Sequence, residues 1–254
     1  MNAPAVPLLL AQLRPLVERE GRSRGALLLP LALAVCAAAV AAFQIRIQQQ
    51  FMAGQWNALP LARDPAAVVT AWLGVAVAGH TVVSRADEDR ESAWIAVLHS
   101  HGTRAWSYAA AVWSVALLRS WLVIILGFAA IEVARSILAP PEWAAVLEPR
   151  QIAGSMLLSA NFGALALVSV CLARGATRAA GAAVLLVVVP LAIILAAAMM
   201  DVHMPRVAAW IIAGHVPQLR TTGRLALMVY QLLHTAVLLS LALALAKSRL
   251  TRRT

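Results

Sequence analysis

Between positions 84 and 104 the chain gathers Asp87, Glu88, Asp89 and Glu91 at one end and His99, His101 and Arg104 at the other. Acids at the start of a helix and cations at its end match the sign of the helix dipole. Ser84 can cap the first turn, and Gly102 can take the left-handed conformation that closes the last. Between them Trp94, Val97 and Leu98 form an apolar stripe at i, i+3 and i+4. The spacing predicts a short, capped amphipathic helix whose chemistry is docking. It either lies in a membrane interface and tidies a connection, or offers a surface to a soluble partner.

Other side chains could do chemistry of their own. Met199, Met200, His203 and Met204 make a thioether and imidazole cluster, a donor set that suits Cu(I). Methionine is also an ordinary gap-filling residue, which is the preferred reading. His80 and His234 raise a b-type haem, which needs two axial ligands at matching depth on facing helices. In their apolar runs their depths differ, which disfavours the pair. A metal-handling or haem-redox membrane protein is therefore the alternative class. Arg119 interrupts an apolar run, at about 2.5–3.5 kcal/mol for a mid-membrane arginine on insertion scales. It either faces a substrate path or, the preferred placement, snorkels to the headgroups. Asn161 is a second candidate for such a path, but an interhelical hydrogen bond is the simpler use. Glu132 and Arg135, three apart on one helix, are expected to neutralise each other. No Ser-His-Asp, paired-carboxylate or zinc spacing is visible.

The elements that must position these groups are membrane helices. The 254 residues are 62% hydrophobic and 13% charged, with a mean hydropathy of +0.80. Soluble domains run at roughly 45–50% apolar and about 25% charged. A span needs about 20 apolar residues. Six runs qualify: 25–43, 66–83, 105–131, 152–173, 179–200 and 225–246. The fold expected is all-α, a single transmembrane domain over 1–254 with no soluble domain. Pro190 should kink the fifth run. Cys36 and Cys171 lie inside apolar runs, so no disulfide framework is expected. Some 25 residues precede the first apolar core, by simple counting along the sequence, so it should stay as an anchor rather than a cleaved signal.

The net charge is +10, and Lys247 is the only lysine. The arginines flank apolar runs, so anionic lipid headgroups rather than nucleic acid are the expected partner. With the N-terminus inside, the inner segments hold thirteen Arg and Lys residues and the outer ones seven. The positive-inside rule then gives both termini on the cytoplasmic side. In the leader, 1–24, Leu9, Leu13, Leu16 and Val17 oppose Gln12, Arg14, Glu18 and Arg19. That pattern predicts an interfacial helix, weakened by Pro15. Val207–Ile212, between Pro205 and the break from Gly214 to Pro217, suits a short helix dipping into the outer leaflet.

This layout resembles the ABC-2 type permeases, the membrane-spanning subunits of bacterial ABC transporters. In that family the second span leads into a Glu-containing stretch, a Leu-rich turn and a Pro/Gly-Ser/Thr-Arg turn. The matching residues here are Arg90-Glu91-Ser92, Leu98 and Gly102-Thr103-Arg104, with Val207–Val216 resembling the family's outer re-entrant helix. The sequence departs from the family pattern at Ser92-Ala93-Trp94 and at His99-Ser100-His101. The resemblance implies that Asp87, Glu88, Arg90, Glu91, Trp94, Leu98, Gly102, Thr103 and Arg104 couple the chain to a cytosolic ATPase. It also implies a second permease copy as homodimer or heterodimer, a multi-pass location in the bacterial cytoplasmic membrane, and export as the direction. No cofactor is implied in this chain, and ATP with Mg²⁺ would sit on the partner. The chain itself lacks a phosphate-binding loop: Lys247-Ser248 follows Leu243-Ala244-Leu245-Ala246, without glycine. It is not expected to be an enzyme.

Overall fold

The computed structural model describes residues 25–51, 65–91, 105–138, 149–173 and 225–250, with Arg178 and Gly181 besides. Among them are five helices: α1 (Gly25–Phe51), α2 (Pro65–Glu91), α3 (Ala105–Leu138), α4 (Pro149–Leu172) and α5 (Leu225–Leu250). Four stretches, Ala66–Asp89, Ala105–Leu138, Pro149–Leu172 and Met228–Ala246, are long and apolar enough to cross a membrane. The expected leader helix, the 179–200 run and the outer helix at Val207–Val216 lie outside the described residues.

The helices outrun the apolar segments that announce them. α1 continues past Phe43 to Phe51, α2 past Val83 to Glu91, and α3 past Ile131 to Leu138. Hydropathy marks only the part that lipid must accept. Gln, Glu, Arg and Ala are good helix formers and continue the same hydrogen-bonded ladder into the interface. At 34 residues, α3 is about 51 Å long at 1.5 Å per residue, against a hydrocarbon core of about 30 Å.

One local expectation is overturned. Ser84 does not cap a separate helix; it lies inside α2, and its Oγ donates to the Thr81 carbonyl at 3.5 Å. No Gly or Pro separates Thr81 from Glu91, so nothing breaks the ladder there. Asp87, Glu88 and Asp89 therefore sit at the C-terminal end of a helix, where the dipole disfavours negative charge.

α3 is the hub and packs on all four other helices, while α4 also packs on α2 and α5, and α1 on α2. α2 and α3 run antiparallel at close range. A Cβ on Gly74 would stand 2.5 Å from Ile124 Cγ1, and one on Gly127 would stand 2.5 Å from Thr70 Cγ2. Hydrogen there lets the two backbones approach. α3 and α4 are also antiparallel: the indole N–H of Trp113 donates to the Ala160 carbonyl at 3.3 Å, and that of Trp121 to Met156 at 3.1 Å.

α4 and α5 run parallel instead. Asn161 meets His234 and Cys171 meets Ala242, so residue numbers rise together along the pair. One core cluster joins Val82 and Ala86 of α2, Tyr108 and Val112 of α3, Leu167 and Val170 of α4, and Ala242 and Ala246 of α5. The ends of α2, α4 and α5 and the start of α3 thus share one end of the bundle. The second cluster, at the other end, holds Ala37 and Ala41 of α1, Ala66 of α2, and Ile124, Phe128 and Ile131 of α3. Among the described spans α4 is the most enclosed, with 72% of its most apolar stretch buried, while that of α5 has 17% and the helix presents Val229, Leu232, Leu233, Val237 and Leu241 outward.

Candidate functional site

At the shared end of the bundle the acidic run is drawn into the protein. Asp89 is 0% exposed, and the Tyr108 hydroxyl donates to its Oδ2 at 2.7 Å. One turn earlier Arg85, itself buried, donates through Nη1 to Glu88 Oε2 at 3.1 Å. Glu88 is turned outward, with its side chain 59% exposed, and Asp87 is half-buried. A carboxyl group at a helix C-terminus inside a protein requires compensating donors. The Tyr108 hydroxyl supplies one, and Arg85 offsets the charge of the neighbouring Glu88.

The Tyr108–Asp89 bond ties the last turns of α2 to the first turn of α3. Asp89 lies three positions before the 92–104 connection and Tyr108 four after it, so their bond closes the connection at its base. Arg90 and Glu91 fall in the last turn of α2. Trp94, Leu98, His99, His101, Gly102, Thr103 and Arg104 lie outside the described residues. Sequence reading missed Tyr108. The available signal was its position: an antiparallel pair of helices brings residues equidistant from the connection together, and Tyr108 is one of only two tyrosines in the chain.

A second polar constellation lies deeper, between α4 and α5. Asn161 is 0% exposed, and its Nδ2 donates to His234 Nδ1 at 2.7 Å. The Tyr230 ring stacks on the imidazole, with centroids 6.0 Å apart and planes at 18°. The interhelical use expected for Asn161 is the one observed. His80, the other half of the haem pairing, is on the exposed side of α2, and α2 packs chiefly on α1, α3 and α4 rather than on α5. The two histidines are not brought onto one packed helix pair.

Arg119 is half-buried near the middle of α3, between exposed Leu118 and buried Ser120. The expected pairing of Glu132 with Arg135 is not formed: Glu132 Oε2 is buried without a hydrogen-bond partner. The i, i+3 spacing makes two residues neighbours without dictating the rotamers that join them. Met199, Met200, His203 and Met204 lie outside the described residues. Among the described residues no group of three or more His, Cys, Asp or Glu could hold a metal ion.

Four helices of this length and apolarity, around a small-residue core, define a multi-pass α-helical membrane protein. No protein-family model matches the chain, and no curated protein matches it.

Proposed function

We propose that this chain is the membrane-spanning subunit of an ATP-driven transporter of the ABC-2 type, working as an exporter in the bacterial cytoplasmic membrane. Two copies, or this chain and a homologous partner, enclose the path, and a separate cytosolic ATPase supplies the energy. The 84–104 segment is the contact with that ATPase. The observation that carries the reading is the Tyr108–Asp89 bond at 2.7 Å. A connection closed at its base passes an imposed displacement to α2 and α3 together, instead of absorbing it as a slack loop would.

The charge distribution supports the same frame. The bundle end shared by α2, α3, α4 and α5 is flanked in sequence by Arg85, Arg90, Arg104, Arg174, Arg178, Lys247, Arg249, Arg252 and Arg253. That clustering fits a cytoplasmic face. Parallel α4 and α5 also support a further crossing by the apolar run at 179–200, since the connection between them joins opposite ends of the bundle.

The test is recovery of the motor. The tagged full chain, expressed together with its neighbouring genes, should retain a P-loop ATPase through detergent purification. Glu91→Gln with Arg104→Gln should reduce the recovery. A wild-type chain that brings down no ATPase, or one purified with stoichiometric haem or copper, would overturn the proposal.

A further inference from the structure

The layer around Asn161 and His234 holds two buried acceptors that no donor reaches. Asn161 spends its Nδ2 on His234, and its Oδ1 is buried with no hydrogen-bond partner. Gln231, three residues before His234, is 1% exposed, and its Oε1 is likewise buried without a partner. Thr235 is no help, because its Oγ1 donates to the Gln231 carbonyl at 2.7 Å. Gln231, Thr235, Ala242 and Ala246 form the buried stripe of α5. Gln231 therefore faces the interior of the bundle, where α5 packs on α4 and α3.

Two buried amide oxygens with nothing to accept are costly inside a membrane span, where bulk water does not reach them. Polar groups inside membrane spans face protein or a cavity rather than lipid. Here both oxygens are acceptors, so the complementary ligand is a donor. We infer that Asn161 Oδ1 and Gln231 Oε1, beside the Tyr230–His234 stack, form an intramembrane site for a hydroxyl-type hydrogen-bond donor. The donor is either a held water or the hydroxyl group of an amphiphile that reaches this depth between α4 and α5. This inference does not depend on the coupling role given to the 84–104 segment.

The experiment uses the purified full chain in a maltoside detergent and reads its thermal unfolding midpoint with added octanol or octane, matched for the amount partitioned. An amphiphile site predicts that octanol raises the wild-type midpoint above octane and that Gln231→Met erases the difference. A held water predicts no difference between octanol and octane, while Gln231→Met lowers the midpoint by about 3–10 °C, as expected for loss of a satisfied buried group. The double variant Asn161→Leu with His234→Leu removes both partners of the existing bond. It gives the same readout if Gln231→Met does not accumulate. The inference is overturned if octanol and octane act alike and either variant is as stable as, or more stable than, wild type. That result would mean that the oxygens are merely orphaned and that removing them relieves the protein. An octanol effect that persists undiminished in the variants would equally overturn it.

Discussion

The Tyr108 hydroxyl donates to Asp89 Oδ2 at 2.7 Å, joining the first turn of α3 to the last turns of α2 inside the protein. Asp89 is fully enclosed while Glu88, its neighbour, points outward. Tyr108→Phe keeps the ring and removes only the donor, so it should destabilise the folded chain by about 1–3 kcal/mol, the cost of an unsatisfied buried group. Glu88→Gln breaks an ion pair with one exposed partner and should cost about 0–1 kcal/mol. Thermal or denaturant unfolding in detergent compares the two. Equal losses would contradict the assignment of Asp89 as the buried anchor.

The close approach of α2 and α3 gives a second prediction. A methyl group on Gly127 meets Thr70, and one on Gly74 meets Ile124, in each case at 2.5 Å. Both neighbours are β-branched and stiff at χ1, so the helices must separate. Gly127→Ala and Gly74→Ala should each lower stability by about 1–3 kcal/mol as overpacking. Gly79 has open space around its Cβ position, and Gly79→Ala should be neutral or slightly stabilising, as helix propensity favours alanine. Unfolding midpoints of the three variants decide it.

The two indole bonds between α3 and α4 should be individually modest. Trp121→Phe and Trp113→Phe leave the acceptor carbonyls of Met156 and Ala160 inside the α4 ladder. Each substitution should therefore cost about 0.5–1.5 kcal/mol. A loss above that range in the unfolding midpoint would show that the rings are held by more than the N–H bond and their packing.

Orientation can be read in cells. With the basic end of the bundle in the cytoplasm, a fluorescent protein fused after Thr254 should fluoresce. Alkaline phosphatase inserted in the 139–148 connection should be active. The reverse pattern would invert the bundle and remove the 84–104 segment from reach of any cytosolic ATPase.

Much of this architecture is legible in sequence because lipid imposes a single demand, a run of apolar residues long enough to cross. The starts of α2, α3 and α5 fall within a residue of the apolar runs that predict them. What hydropathy does not see is how far a helix continues once it leaves the hydrocarbon. Ser84 reads as a cap because it precedes three acids, yet with no breaker before Glu91 the helix simply runs on. The acids then sit at the wrong pole of the dipole, and the partners that help to tolerate them, Tyr108 for Asp89 and Arg85 for Glu88, include one far along the chain that no local pattern announces. For Asn161 the chemistry, an interhelical hydrogen bond, follows from its burial in an apolar run. Its partner His234 does not, because the parallel register of α4 and α5 is not written locally in either helix. Gln231, a few residues into the last apolar run, gives no local signal of its orphaned oxygen at all.

The central claim is that the 84–104 segment couples α2 and α3 to a motor, and ATP hydrolysis by the reconstituted complex tests it most directly. The isolated ATPase should change its rate when the wild-type chain is added. A chain with Glu91→Gln and Arg104→Gln should leave the rate at that of the ATPase alone, while its unfolding midpoint matches wild type. A double variant that modulates hydrolysis as the wild type does, or a wild-type chain that leaves the ATPase unaffected, would contradict the account.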